Sequence, residues 1–410
     1  MPESEIDPRN VGRRIAEARK ARGKTQEEAA EFLGCSRPTY IAIEKGDRAA
    51  KADEIIKLAS FLGRSVSELV RPGEPAAALE PHLRAVADKM GLGARNHAGL
   101  SAAIEQLQAL AEDYRALERL RNAPLRASYP PEVLLNPRID PVEQAEVVAN
   151  QERNRLGVGD QPVLSLRSAL EWDVGLRIFY APDLPSNIAG MYAYTADLGA
   201  CILVNRKHPP ERRRVSMLHE YGHFLLAVDR YRAGIDYLSQ PGRKTANERF
   251  AEAFALCFLM PATSVRQRFQ AVLASSGDFQ VADLCRLKHH FFVSLQAMTL
   301  RMEQLGLISK GMWDQLRESK FAPLKAEAIL GLSSRPDDDG IVPERYRYLA
   351  VHAYERGEIG DAELAHYLRL DLASARAVVA RTLSSRELEP SGEERTVRMD
   401  FPASLLGDVR

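Results

Sequence analysis

Two histidines four residues apart, with a glutamate directly after the first, are the side chains in this sequence best suited to chemistry. They are His219, Glu220 and His223 in the run Ser216-Met217-Leu218-His219-Glu220-Tyr221-Gly222-His223-Phe224-Leu225. On a helix this spacing puts both imidazoles on one face, one turn apart, where they can bind a single zinc ion. Glu220 projects beside that position, where a carboxylate can take the proton of a water attacking a peptide carbonyl. A zinc enzyme also needs a third protein ligand and an open coordination position. The downstream run NERFAEAFALCFLMP offers Glu248 and Glu252, four residues apart on one helical face. Phe250, Phe254, Leu256 and Phe258 mark that helix as buried, and Met260-Pro261 mark its end.

The elements that must position these groups are legible around them. VLSLRSALEWDVG reads as a helix, and LRIFYAP, GMYAYTA and ACILVN read as three short strands before the histidine helix. The stretch 160–310 resembles the ImmA/IrrE metallopeptidase family in its ILVN strand, its S-M-L-H-E-Y-G-H helix and its E-x-x-x-E-A-F-A-x-x-F-L-M-P helix. The resemblance implies an α+β, zincin-like (gluzincin-like) domain with a small sheet and Zn2+ as cofactor. In gluzincin-type peptidases, to which the family is similar, the first acid of the downstream helix binds zinc and the acid a turn later supports a ligand histidine. That implies Glu248 as third ligand and Glu252 as supporter. The family more often carries Asn or Asp where Glu252 stands, so an exchange of the two roles stays open. Tyr192 or Tyr194 could donate to a tetrahedral oxyanion, although packing is the commoner role of a strand tyrosine. His208, His289 and His290 lack ligand spacing to the motif and are not expected ligands.

A second set of candidates lies in residues 7–70. Val11, Ile15 and Ala18 share a helical face, and Gly23 supplies a stop. Thr25 and Glu28 form a capping box that opens TQEEAAEFLG, and Ser36 caps RPTYIAIEKG with Pro38 in the first turn. Two further helices, KADEIIKLASFLG and SVSELV, complete a five-helix unit. A helix-turn-helix presents the start of its second helix to the major groove of double-stranded DNA. The candidate contacts are therefore Thr25, Gln26, Ser36, Arg37, Thr39 and Tyr40. In TQEEAA, SRPTYIAIEKG and FLGRSVSELV this unit resembles the XRE (Cro/C1-type) repressor DNA-binding domain. Thirteen basic residues face twelve acidic ones over residues 1–70, so local charge does not separate DNA binding from a bundle used for protein contacts.

At the scale of the chain, 410 residues with 45% hydrophobic and 27% charged composition predict several folded domains, mainly α. Lys plus Arg equals Asp plus Glu at 56 each, so net charge exerts no general pull toward nucleic acid. The absence of a long apolar run predicts no membrane span and a cytoplasmic protein. The four scattered cysteines predict reduced thiols. The expected organisation is a DNA-binding domain at 7–70, a helical and Pro-rich connecting region at 71–159 broken near Gly91 to Gly93, and the peptidase-like domain at 160–310. A helical C-terminal appendix at 319–385 and a mobile tail at 386–410 follow. The expected activity is a DNA-binding regulator with zinc endopeptidase activity, a homodimer on paired half-sites. Its substrate would be this chain, a sister molecule or a separate XRE-type repressor, under stress, phage or mobile-element control. The alternatives are a transcription factor whose peptidase-like domain is a non-catalytic sensor, and a peptidase whose helix-turn-helix recruits a protein.

Overall fold

The computed structural model describes residues 7–62, 66–70, 79–89, 94–237, 244–332, 335, 340–388 and 394–398. The expected hinge at 71–78, the break at Gly91 to Gly93, most of the Pro and Asp-rich segment at 333–339 and the last twelve residues lie outside them. The chain divides into two compact units, 1–77 and 78–410.

The first unit holds α1 (Pro8–Ala21), α2 (Gln26–Leu33), α3 (Arg37–Lys45), α4 (Ala52–Leu62) and α5 (Val66–Val70). Its core joins Val11, Ile15 and Ala18 of α1 to Ala29 and Ala30 of α2, Tyr40 and Ile43 of α3, and Leu58, Ala59 and Leu62 of α4. Each helix start has a local cause. Thr25 and Glu28 satisfy each other's backbone amides in a full capping box, and Ser36 accepts from the Thr39 amide at 3.3 Å. Gly34 closes α2 at φ 71°, a left-handed conformation that a residue without Cβ adopts freely. Glu44, near the end of α3, accepts from Arg19 Nε at 2.6 Å and from Gln26 Nε2 at 2.8 Å, which pins α1 and the start of α2 to α3.

The second unit begins with α6 (Glu80–Lys89) and the long α7 (Ala94–Leu120). An extended, proline-bearing stretch leads to α8 (Pro141–Arg155), and Val133 within it forms a bridge to Leu226. The expected helix around 166–174 is α9 (Leu166–Ala169), widened into a π-helical turn at Leu170–Val174. The sheet has strand order β1-β3-β2-β4, with β1 (Arg177–Ala181) parallel to β3 (Gly199–Asn205), and β2 (Ile188–Thr195) antiparallel to both β3 and β4 (Gly234–Tyr237). The short edge strand β4 has no counterpart among the three strands read from the sequence. Contacts of α10 (Pro210–Leu225) with β2 and β3, and of α7 with β1 and β3, cover both faces. Residues of β1, β2 and β3 are therefore buried without interruption except Tyr194 and Gly199, and apolar runs replace alternation.

Against α10 lies α11 (Ala246–Leu259), whose Phe250, Phe254 and Phe258 share a core with Leu218, Tyr221 and Phe224. Helix α8 packs into the same core through Ala145 and Ala149, so the structural unit starts before residue 160. Two buried polar ties explain this: Tyr221 donates to Glu152 at 2.7 Å, and Arg301 pairs with Glu146 at 2.6 Å. The remaining elements are α12 (Ala262–Ser276), α13 (Val281–Phe291), α14 (Leu295–Gln304), α15 (Met312–Glu318), α16 (Pro323–Ile329), α17 (Glu344–Glu355), α18 (Asp361–Leu368) and α19 (Leu372–Leu383). Where a mobile tail was expected, β5 (Ser384–Leu388) pairs antiparallel with β6 (Glu394–Arg398). The four cysteines are free, three of them buried, and among the described residues no helix is long and apolar enough to cross a membrane.

Candidate metal centre and nucleic-acid interface

Helix α10 starts at a Pro209-Pro210 pair, which suits a first turn whose amides need no intrahelical acceptor, and it is buried over most of its surface. His219 and His223 face the N-terminal turn of α11, where Thr245 caps the helix and accepts from the Glu248 amide at 3.2 Å. Glu248 thus sits where amide dipoles favour a carboxylate. Its Oε1 lies 3.4 Å from His219 Nε2 and its Oε2 3.3 Å from His223 Nε2, while the two Nε2 atoms are 3.2 Å apart. Ligand atoms at ~2.0–2.2 Å from a tetrahedral zinc stand ~3.3–3.5 Å from one another. The two imidazole nitrogens and the Glu248 carboxylate therefore lie within reach of one ion, each histidine nearest a different carboxylate oxygen.

The histidines are oriented by groups the sequence reading did not single out. His223 Nδ1 is 2.9 Å from Asp229 Oδ2, and Asn247 Nδ2 donates to both oxygens of Asp229 at 3.1 and 3.0 Å. An Nδ1 proton held on Asp229 leaves the Nε2 lone pair directed at the centre. Burial lowers the His223 proton affinity, but its bonds to Asp229 and Glu248 outweigh this and raise its pKa to about 10, so a metal binding at Nε2 must displace the proton that Glu248 otherwise holds there. Burial, helped by the neighbouring His223, lowers His219 to about 4. Asp229 follows His223 by six residues in the turn after α10, a position no local motif marks. Glu252, expected as supporter or alternative ligand, does neither. One turn beyond Glu248, its half-exposed carboxylate pairs with Lys244, and the group of potential ligands is His219, His223 and Glu248.

Glu220 lies on the side of the centre toward the sheet. It is 1% exposed, and its Oε1 has no hydrogen-bond partner. Burial, reinforced by the charge of Asp236, raises its pKa well above the ordinary carboxylate value. Gly190 on β2 makes room for it, since a Cβ there would stand 3.3 Å from Glu220 Oε1 and 3.1 Å from the Leu203 carbonyl. Asp236 pairs in register with Gly190 and therefore emerges on the same face of the sheet. Together with Tyr192, Arg232 and the ligand residues, Asp236 lines a cleft of about 490 Å³. Of the two candidate oxyanion donors, Tyr192 gives its hydroxyl proton to the Arg230 carbonyl, and Tyr194 packs against Tyr129 and Tyr231. Packing is thus the role of both. His208 contacts the Ser186 carbonyl at 2.9 Å.

In the first unit, Thr25, Ser36 and Arg37 are exposed and Gln26 and Thr39 half-buried. Arg37 makes only a long exposed pair with Glu27, at 3.6 Å, so its guanidinium can exchange that partner for a phosphate or a base edge. Tyr40 corrects the sequence reading. It is fully buried, because it shares the inner face of α3 with Ile43 three residues on, and it is core rather than DNA contact.

Comparison with known proteins agrees with this division. Residues 15–69 match the family described as Helix-turn-helix, and residues 173–303 the family described as IrrE N-terminal-like domain. The chain joins an XRE-type helix-turn-helix domain to an IrrE-like peptidase-family domain. Over 61 residues, 15% of this chain, it is 39% identical to the cryptic phage CTXphi transcriptional repressor RstR of Vibrio cholerae, and the match spans 55% of that repressor. Among solved structures, ComR from Streptococcus suis aligns over 91% of this chain and 93% of its own at 12% identity, with a TM-score of 0.16. That score is too low to carry a shared fold.

Proposed function

We propose that this protein is a transcriptional regulator that binds double-stranded DNA through its first unit and hydrolyses a peptide bond in the cleft of its second, with zinc held by His219, His223 and Glu248. The observation that carries the reading is the meeting of two imidazole nitrogens and a carboxylate within reach of one ion, beside a buried glutamate oxygen without a hydrogen-bond partner among the described residues. A zinc ion held there supplies Lewis-acid polarisation of the reacting oxygen. Glu220 Oε1 takes the proton of the attacking water and returns it to the departing amine, so one water and one peptide bond become a carboxylate and an amine. Asp229 and Asn247 keep His223 in the tautomer that can act as a ligand. A non-catalytic sensor has no need of such a base, and a structural zinc would close with four protein ligands, where this cluster offers three among the described residues.

DNA recognition rests on the start of α3, with Arg37 and Thr39 as the groups able to reach base edges or phosphates and Thr25, Gln26 and Ser36 beside them. A homodimer on paired half-sites, a cytoplasmic location and a control function in stress, phage or mobile-element responses belong to the same reading. So does a substrate of the repressor type, this chain included.

The first test is zinc content by elemental analysis of the full chain and of His219→Ala and Glu248→Ala, after removal of loosely bound metal. About one zinc per chain, lost in both variants, is expected; a metal-free wild type sinks the reading. Glu220→Gln is then expected to keep zinc and DNA binding and to lose ~10²–10⁴-fold in cleavage.

A further inference from the structure

Val86 of α6 forms part of the wall of the same cleft as His219, Glu220, His223 and Glu248. The helix packs against β4, whose Gly234, Ile235 and Asp236 form the neighbouring wall. Leu79, Leu83, Val86 and Ala87 recur at helical spacing, and of these Leu79, Leu83 and Ala87 are buried. Two polar ties hold α6 to α7: Arg84 pairs with Glu105 at 2.9 Å, and the Leu79 amide donates to Gln108 Oε1 at 2.6 Å. Among the described residues the helix is docked by an apolar face and by polar ties to α7, and local opening of one such short element costs less than unfolding the unit.

Among the described residues, strand β4 ends the sheet and has no strand partner beyond it. An extended peptide pairs readily with such an edge, and one laid along β4 toward Glu220 competes with α6 for the same strand. Helix α6 is also the first described element after the helix-turn-helix unit along the chain. Any pull on that connection acts on α6 before the rest of the second unit.

We propose that α6 is an intramolecular cover of the cleft, docked through its buried face with Val86 in the cleft wall beside β4, and displaced when a peptide enters. What the cleft does is taken from the peptidase reading above; that α6 covers it is not, so the test needs no turnover. In the full chain, Gly234→Cys places a thiol in the cleft wall, at a position where an added Cβ meets nothing within 4 Å. Its rate of modification by a maleimide-bearing polyethylene glycol, read at residue 234 by peptide mass, is compared with and without Leu83→Asp. Amide exchange is followed in parallel. The expected result is a rate rise of about tenfold or more, with faster exchange in 80–89 and unchanged protection in 94–120. Ala85→Pro, which breaks the helix through its backbone, must give the same rise and covers the case in which Leu83→Asp disturbs α7. Loosened exchange in 80–89 with no rise in either variant overturns the proposal. So does a Gly234→Cys rate that already equals that of the urea-unfolded chain. Zinc content of the same samples reports separately on the peptidase reading.

Discussion

In the proposed centre Asp229, rather than Glu252, orients the histidine His223, and the difference can be measured. Asp229 holds His223 Nδ1 at 2.9 Å and is itself held by Asn247, whereas Glu252 spends its charge on Lys244 at the surface. Removing a carboxylate that orients a metal-binding histidine typically costs ~10–100-fold in metal affinity. Asp229→Ala is therefore expected to weaken zinc by that factor in a chelator competition, and Glu252→Ala to leave it unchanged; equal loss in both would refute the assignment. The three residues of the proposed centre were legible because HExxH and the acid of a following helix are local patterns. Asp229 was not, because a turn residue six positions past the motif acquires its role only when the chain folds back. Tyr40 shows the opposite failure: it stands in the stretch of helix that reads DNA, but the helical period turns it inward.

Among the elements, the close approach of α10 and α11 decides whether the centre exists. Gly222 faces Ala251, and a Cβ added to it would stand 2.9 Å from the Ala251 Cα and 3.2 Å from its Cβ. The contact is with backbone, so Gly222→Ala must push the helices apart, moving Glu248 away from the two imidazoles. Overpacking of this kind costs about 1–3 kcal/mol. The expected outcome is a chain that stays folded, melts lower and binds zinc weakly, checked by thermal denaturation and elemental analysis. At α2 the capping box gives a pH dependence. Hydrogen bonds from the Thr25 backbone first, then from Lys24, lower Glu28 from 4.5 to about 2. A depressed carboxylate contributes its stability in full above the unfolded value, and that contribution is lost as pH falls through the folded value. Acid titration of α2 by NMR should show this loss between about pH 4.5 and 2, and Glu28→Gln should abolish it. The α10 and α11 helices and the capping box of α2 could be read from sequence. Strand β4 could not, because the four residues Gly234 to Tyr237 are too few to show a strand period and are held in the sheet by pairing with β2.

The C-terminal helices belong to the second unit through buried charge. Glu118 of α7 is 1% exposed and is held by Arg177 of β1 at 2.9 Å and by Arg345 of α17 at 3.2 Å. Arg345 also donates to the Tyr114 hydroxyl at 3.1 Å and to the Ala123 carbonyl at 2.5 Å, and Tyr114 donates in turn to Glu171 of the π-helical turn at 2.5 Å. Helix, sheet and C-terminal region thus share one network, which the sequence could not disclose because its members stand up to 231 residues apart. Segment 340–342 adds to this tie: the Tyr180 amide on β1 donates to the Ile341 carbonyl, and Arg167 donates to the Gly340 carbonyl. Breaking a buried pair by removing one partner costs roughly 3–5 kcal/mol when the other charge is left alone. Arg177 remains on Glu118, so Arg345→Ala is expected at the lower end, about 3 kcal/mol. The two units have separate cores. The loss should therefore appear only in the unfolding of residues 78–410, while amide protection of α1 to α4 stays at its wild-type level. Equal destabilisation of both units would mean that they fold as one cooperative body.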